Sequence, residues 1–158
     1  MKVTYRDLEK LKEYVNSNIN SLPRQTYQSI VDDFEIKFTY ESTKIEGNTL
    51  SISEVKTLLV DNISVGGKYL REIYEVRNNQ KANKYIEGEI KKGASLTEDL
   101  IKDIYQIVTE NIIQGGPYRN HNVRITGASF RPSDWVEVRD NMKWLIGDFN
   151  EKNPKKIR

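Results

Sequence analysis

The stretch ESTKIEGNTL, Glu41–Leu50, decides how this chain is read. A helix arriving from about Thr26 meets Gly47, a natural C-terminal stop. Four residues later Ser51-Ile52-Ser53-Glu54 opens another helix. The serine oxygen takes a backbone N–H there, and Glu54 reaches back to the serine's own N–H. Glu46 therefore stands on the last turn of the first helix, where the macrodipole is negative and a carboxylate is slightly unfavourable. It persists in such a place because a cation partners it, or because the position is exposed and tolerant. From local features alone the second reading is preferred.

Outward from this junction the chain reads as helix after helix. Thr4 caps a first helix with Leu8, Leu11, Val15 and Ile19 spaced three or four apart, and Leu22-Pro23 breaks it. The second helix, about 26–47, is expected to carry Tyr27, Val31, Phe34, Phe38 and Ile45 on one face. The Ser51 helix runs to about Asp61 and ends before Val65-Gly66-Gly67. A long helix over about 68–91 points Ile73, Val76, Ile86 and Ile90 inward and closes at Gly93. Thr97 caps the next, with Leu100, Ile101, Ile104, Val108 and Ile112. After Gln114-Gly115-Gly116-Pro117, a turn cluster, Tyr118–Phe130 alternates around Val123 and Ile125 and breaks at Gly127. That is a hairpin pattern, open to being no more than a surface cover. Ser133 is expected to cap a last helix, about 133–150, with Trp135, Val138, Met142, Leu145 and Phe149 on one face.

Composition narrows the function classes. The 158 residues fit one domain with a core of its own. No apolar run approaches a membrane span, and MKVTYRDLEK has no apolar signal core, so a cytoplasmic protein without membrane association is expected. With no cysteine, disulfides and thiolate metal sites are excluded. One histidine, His121, leaves little for metal or triad chemistry, and no metal site is expected. Basic residues number 25 against 23 acidic, too even a balance for a dedicated nucleic-acid binder. The basic residues Lys152, Lys155, Lys156 and Arg158 read as a solvated loop. The nine tyrosines read mostly as helix-packing residues.

Ser42–Gly47, STKIEG, resembles the inhibitory-helix pattern S/T-x-x-x-E-G/N of Fic-family proteins, and it continues as NTLSISEV, Asn48–Val55. Three further stretches agree in order and spacing. Glu75–Ala82, EVRNNQKA, is similar to the E-V-x-N-x-x-x-A stretch of a following helix. Gly116–Arg119, Val123–Gly127 and Phe130–Pro132 resemble the region leading into and forming the family's flap. Trp135–Phe149 with its Asn153-Pro154 exit resembles the element before the catalytic helix. The resemblance covers about Lys37 to the end. It implies a mainly α fold, a helical Fic-like domain with one small β-hairpin, cut off before the catalytic helix. Residues 1–25 would be an N-terminal helix and 26–158 the N-terminal portion of the Fic-like domain, with the flap hairpin at about 118–132.

The resemblance also says what is missing. The family signature H-x-F-x-D/E-G-N-G-R-x-x-R supplies the general base, the Mg²⁺ ligand and the ATP-phosphate cradle, and it does not occur in this sequence. No catalytic residue is therefore expected in this chain. ATP and Mg²⁺ would serve the intact family domain without productive binding here. The resemblance implies that Ser42, Glu46 and Gly47 form the inhibitory motif. Glu46 would pair with the signature's second arginine in place of the ATP γ-phosphate, and Ser42 would support it by a hydrogen bond. Val123, Arg124, Ile125, Thr126 and Gly127 would be the flap edge that docks a target protein by strand addition. The implied function is the N-terminal part of an autoinhibited protein adenylyltransferase, moving AMP from ATP to a Ser, Thr or Tyr hydroxyl. The alternatives are a non-catalytic protein-binding or regulatory module and, with the resemblance set aside, an unrelated helical protein. Apolar surface left open for further helices would favour a homo-oligomer.

Overall fold

The computed structural model describes residues 4–152. Six α-helices carry these residues: α1 (Tyr5–Asn18), α2 (Arg24–Ile45), α3 (Ile52–Leu59), α4 (Leu70–Lys92), α5 (Glu98–Thr109) and α6 (Val138–Lys152). Short 3-10 turns, Ile19–Ser21 and Trp135–Glu137, lead into α2 and α6. The Asn153-Pro154 exit and the basic residues Lys155, Lys156 and Arg158 lie outside the described residues.

The core sits where α2, α3 and α4 meet. Ile36, Leu50, Val55, Leu58 and Val76 form it, with Tyr40, Leu59, Val65 and Ile73 packed around them. Val55, Leu58 and Val76 are at most 1% exposed, and burial of each contributes roughly 1.5–3 kcal/mol. The predicted caps Thr4, Ser51 and Thr97 are all formed. α5 lies on α4, and α6 rests on α5. Within Glu75–Ala82 the buried residues are Val76, Asn78 and Ala82. Asn78 holds α5 in place, because its amide donates to the carbonyls of Val108 and Glu110 at 3.2 and 2.7 Å. Those carbonyls close α5 and have no intrahelical partner of their own.

Three sequence expectations need correction. First, α2 turns a different face inward. Ile36, Thr39 and Thr43 are buried, while Phe34, Phe38 and Ile45 are 65%, 45% and 81% exposed. Both sets recur at helical spacing, and the partner helices choose the one with small threonines, which lets α3 and α4 come close. Second, residues 118–132 form turns and bends, with no strand among the described residues. Two apolar positions make too short an edge, and an isolated two-stranded hairpin is marginal in water. Side chains hold the segment instead. Asn122 donates to Asp134 at 2.8 Å and accepts from the Trp135 backbone N–H at 2.8 Å. Third, Asp134 rather than Ser133 begins the last helical segment, its N–H donating to Glu137 at 3.3 Å. The Ser133 hydroxyl accepts from Asn141 at 3.2 Å.

The junction after α2 is clasped onto the start of α4. Asn48 is 7% exposed. Its amide nitrogen donates to the Glu72 carbonyl and the Glu75 carboxylate at 2.9 and 3.0 Å, and its oxygen accepts from the Leu50 N–H at 3.0 Å. Thr49 gives its N–H and hydroxyl to the Glu72 carboxylate at 2.9 and 2.6 Å. Lys68 donates to the Thr49 carbonyl at 2.8 Å and lies 3.4 Å from Glu54. The Thr49 hydroxyl and N–H, then the Tyr69 N–H and Lys68, hold the Glu72 carboxyl below its ordinary value. The Ser51 N–H and hydroxyl, with Lys68, do the same for Glu54.

Two predictions follow from this packing. The buried Thr39 hydroxyl has no hydrogen-bond partner among the described residues. Thr39→Val should therefore raise the unfolding free energy by about 1 kcal/mol, read from the urea midpoint. For the clasp, the folded carboxyls of Glu72 and Glu54 lie below the ordinary 4.5, so the unfolded chain takes up protons first as pH falls. Their stabilisation is complete above that value and is lost as pH drops through the lower folded values. The melting temperature should fall on acidification from about pH 5 to pH 3, and fall less steeply in Glu72→Gln.

Candidate functional site

The C-terminus of α2 is an exposed stretch, Lys44 to Gly47, on a closure of defined geometry. The Asn48 N–H donates to the Thr43 carbonyl at 3.1 Å and the Gly47 N–H to the Lys44 carbonyl at 3.0 Å. This pair of bonds is the Schellman closure of a helix end. It requires a left-handed residue at Gly47, where φ is +93°. A Cβ there would meet nothing within 4 Å, so backbone conformation rather than space demands glycine. Residues tolerant of that conformation are Gly and Asn, the two that the S/T-x-x-x-E-G/N pattern admits at this position.

Glu46 is the residue just before this closure, with φ −83° and ψ 4°. It is exposed, and no hydrogen bond or ion pair engages its carboxylate among the described residues. Ser42 is half-buried one turn earlier, and the two side chains are not joined. Thr43, between them, anchors the turn from inside, with its hydroxyl donating to the Thr39 carbonyl at 2.9 Å. Lys44 is committed elsewhere: it donates to the Tyr40 hydroxyl and lies 4.8 Å from that ring's centroid. The helix end thus presents a carboxylate at the negative end of the helix dipole, a locally negative surface suited to a guanidinium.

Val123, Arg124, Ile125, Thr126 and Gly127 lie along the turn segment before α6. Val123 is half-buried, Ile125 is 54% exposed, and Gly127 has φ +82°. Val123, Arg124 and Ile125 border an open concavity of about 530 Å³ completed by Phe130 and Pro132. The base of the segment is fixed by Tyr118, whose hydroxyl donates to Glu98 at 2.9 Å. Lys102 and Arg139 lie 5.5 and 5.6 Å from the Tyr118 ring centroid. Burial first, then the bond to Glu98, raise the Tyr118 phenol above its ordinary value. The end of α2 is held through α3 and α4, and the turn segment through α5 and α6. Sequence reading does not single out the residues that hold these two segments, Asn48, Glu72 and Tyr118. The signal for Asn48 was present: an asparagine just past a helix-ending glycine.

Among the described residues, the donors lining the grooves do not fit Mg²⁺-ATP. The open groove of about 970 Å³ beside α4 and α5 has its cations engaged. Lys81 pairs with Glu110 at 2.8 Å and Lys102 with Glu98 at 2.6 Å. The other candidate surface, at Glu46, is negative. Among the described residues no three His, Cys, Asp or Glu side chains gather to hold a metal ion. No described helix is long and apolar enough to cross a membrane.

The role of Gly47 is testable by substitution. Gly47→Ala should destabilise by about 1–2 kcal/mol in urea unfolding, and Gly47→Asn by clearly less.

No family model matches the chain. It is similar to the protein adenylyltransferase Fic of Drosophila willistoni, 29% identical over 115 residues that make up 70% of this chain and 23% of that protein. The protein adenylyltransferase Fic of Drosophila melanogaster is 29% identical over 90 residues, 56% of this chain and 18% of that protein. The chain thus spans less than a quarter of the length of these curated relatives. Its fold is similar to that of a Fic-domain-containing signalling protein from Bacteroides thetaiotaomicron. The TM-score is 0.75 at 23% identity, over 89% of this chain and 56% of that one. The chain is thus similar in sequence to two adenylyltransferases named Fic, and its fold is that of a Fic-domain protein.

Proposed function

We propose that this chain is the front part of an autoinhibited Fic-type protein adenylyltransferase. It supplies the brake, Ser42–Gly47, and the target-docking segment, residues 123–127. The residues that hold ATP and carry out AMP transfer lie outside it, and the chain alone is inactive. The observation that carries this reading is Glu46, its carboxylate exposed and unpartnered among the described residues at a helix end where Thr43, Lys44 and Asn48 are all engaged. Such a carboxylate sits against the macrodipole until a cation arrives. An arginine of the signature-bearing segment would form a bidentate pair with it, and that arginine is then not free for a phosphate.

Support also comes from the names of the relatives, protein adenylyltransferases, and from the apolar faces left open near the brake and on the last helix. Ile45 is 81% exposed, Trp144 69% and Leu145 49%. A further helical segment would cover them. Docking of a target by strand addition asks residues 123–125 to extend on binding, since the free segment has no strand.

The test is transfer of labelled AMP from ATP. The 158-residue chain alone should transfer none. In a form that also carries the signature, Glu46→Gly should raise modification of targets or of the protein itself roughly 10- to 100-fold, the range set by losing one charge-assisted pair of about 1.5–3 kcal/mol. Equal rates in the two forms would sink the autoinhibition reading.

A further inference from the structure

The residues before the core make a second feature that the proposed function leaves unused. Every residue from Thr4 to Asn18 is exposed, as is every residue from Ser21 to Ile30. α1 and the first turns of α2 therefore form an arm that stands off the body. The only substantial contact of α1 among the described residues is with the 3-10 turn that follows it. Yet α1 is a well-terminated helix, with a full capping box between Thr4 and Asp7. It carries Leu8, Leu11 and Val15 on one stripe, 54%, 57% and 50% exposed. α2 carries Tyr27, Ile30, Phe34 and Phe38 on the face opposite its buried one, 40%, 53%, 65% and 45% exposed, with the two Phe rings stacked at 5.8 Å.

The two stripes are matched in length. Leu8, Leu11, Val15 and Ile19 span 11 residue steps, as do Tyr27, Ile30, Phe34 and Phe38, about 16 Å of helix in each case. Helices of this kind owe most of their stability to packing of the apolar face. Within one copy that packing is not made: Ile19–Ser21 and the extended Pro23, with ψ 139°, hold α1 away from its own α2.

We propose that two copies exchange arms, α1 of each lying antiparallel along the Phe34 face of the other's α2. Leu11 of one copy then meets Phe34 of the other, and Val15 meets Ile30. Seven side chains, each with roughly 100 Å² outside, offer about 700 Å² per copy. That is close to the ~800 Å² per partner of a standard-size stable interface. The contact is isologous, so one surface closes the dimer and leaves no open edge for further growth. Glu46, Ile45 and the last helix take no part, so this dimer and the autoinhibition reading stand or fall separately.

The test uses the 158-residue chain itself. Light scattering on a sizing column at tens of micromolar should give a dimer, and Leu11→Glu and Phe34→Glu should each give a monomer. Because the chain has no cysteine, crosslinking can fix the pairing without background. Leu11→Cys and Phe34→Cys chains, mixed and mildly oxidised, should yield a disulfide-linked dimer that neither yields alone. The double variant should link as a dimer. A monomeric wild-type chain overturns the proposal. So does an internal link in the double variant, which would place α1 on its own α2. Links formed by either single variant alone, with none in the mixture beyond them, would also overturn it.

Discussion

The buried amide of Asn48 is the contact on which the arrangement depends. It joins the two carbonyl- and carboxylate-bearing turns at the start of α4 to the loop that ends α2. A buried amide with unmet hydrogen bonds is costly, so this loop has one well-satisfied position rather than many. Leu50, two residues on, is consequently delivered into the core at 3% exposure. The end of α2 and the beginning of α3 are fixed together by the same set of bonds. Position, not chemistry, is what the core gives to Glu46.

That position is electrostatically one-sided. α2 ends in a Schellman closure that meets the Thr43 and Lys44 carbonyls internally, while the carboxylate beside them stays unmet. Lys44, the nearest cation in sequence, is drawn off to the Tyr40 ring and hydroxyl. The helix end therefore lacks an internal counter-charge. At the other end of the body, Glu98, Lys102, Arg139 and Tyr118 form a closed set in which each charge has an opposite neighbour or a ring. The contrast is between a helix end whose exposed carboxylate has no cation beside it among the described residues and a cluster whose charges are met within it.

How much of this could be read in the sequence differed by element. α3 was legible to its capping box because that motif is local: the serine, the glutamate and the spacing are the whole mechanism. The stop at Gly47 was legible for the same reason. The face of α2 was not. Two stripes fit a helical period, and the reader's preference for aromatics selected the one that faces away from the core. Which stripe is buried depends on how closely α3 and α4 approach, and Thr39 and Thr43 permit that approach. The residues from Tyr118 to Pro132 failed differently. Alternation around Val123 and Ile125 is a local pattern, but a strand exists only with a neighbour, and no neighbour is encoded nearby. The hairpin that the resemblance implies at 118–132 has no strand among the described residues.

The order of packing along the chain has a consequence for how the protein forms. α2 packs on α3 and α4, α4 on α5, and α5 on α6, each with its successor or the one after. Contacts of short sequence separation need little loop closure before they are rewarded, which makes for rapid folding. During synthesis the α2–α4 core can close while α5 and α6 are still emerging. The clasp at Asn48 would then be in place early, so the end of α2 is set before any later part of the chain can reach it.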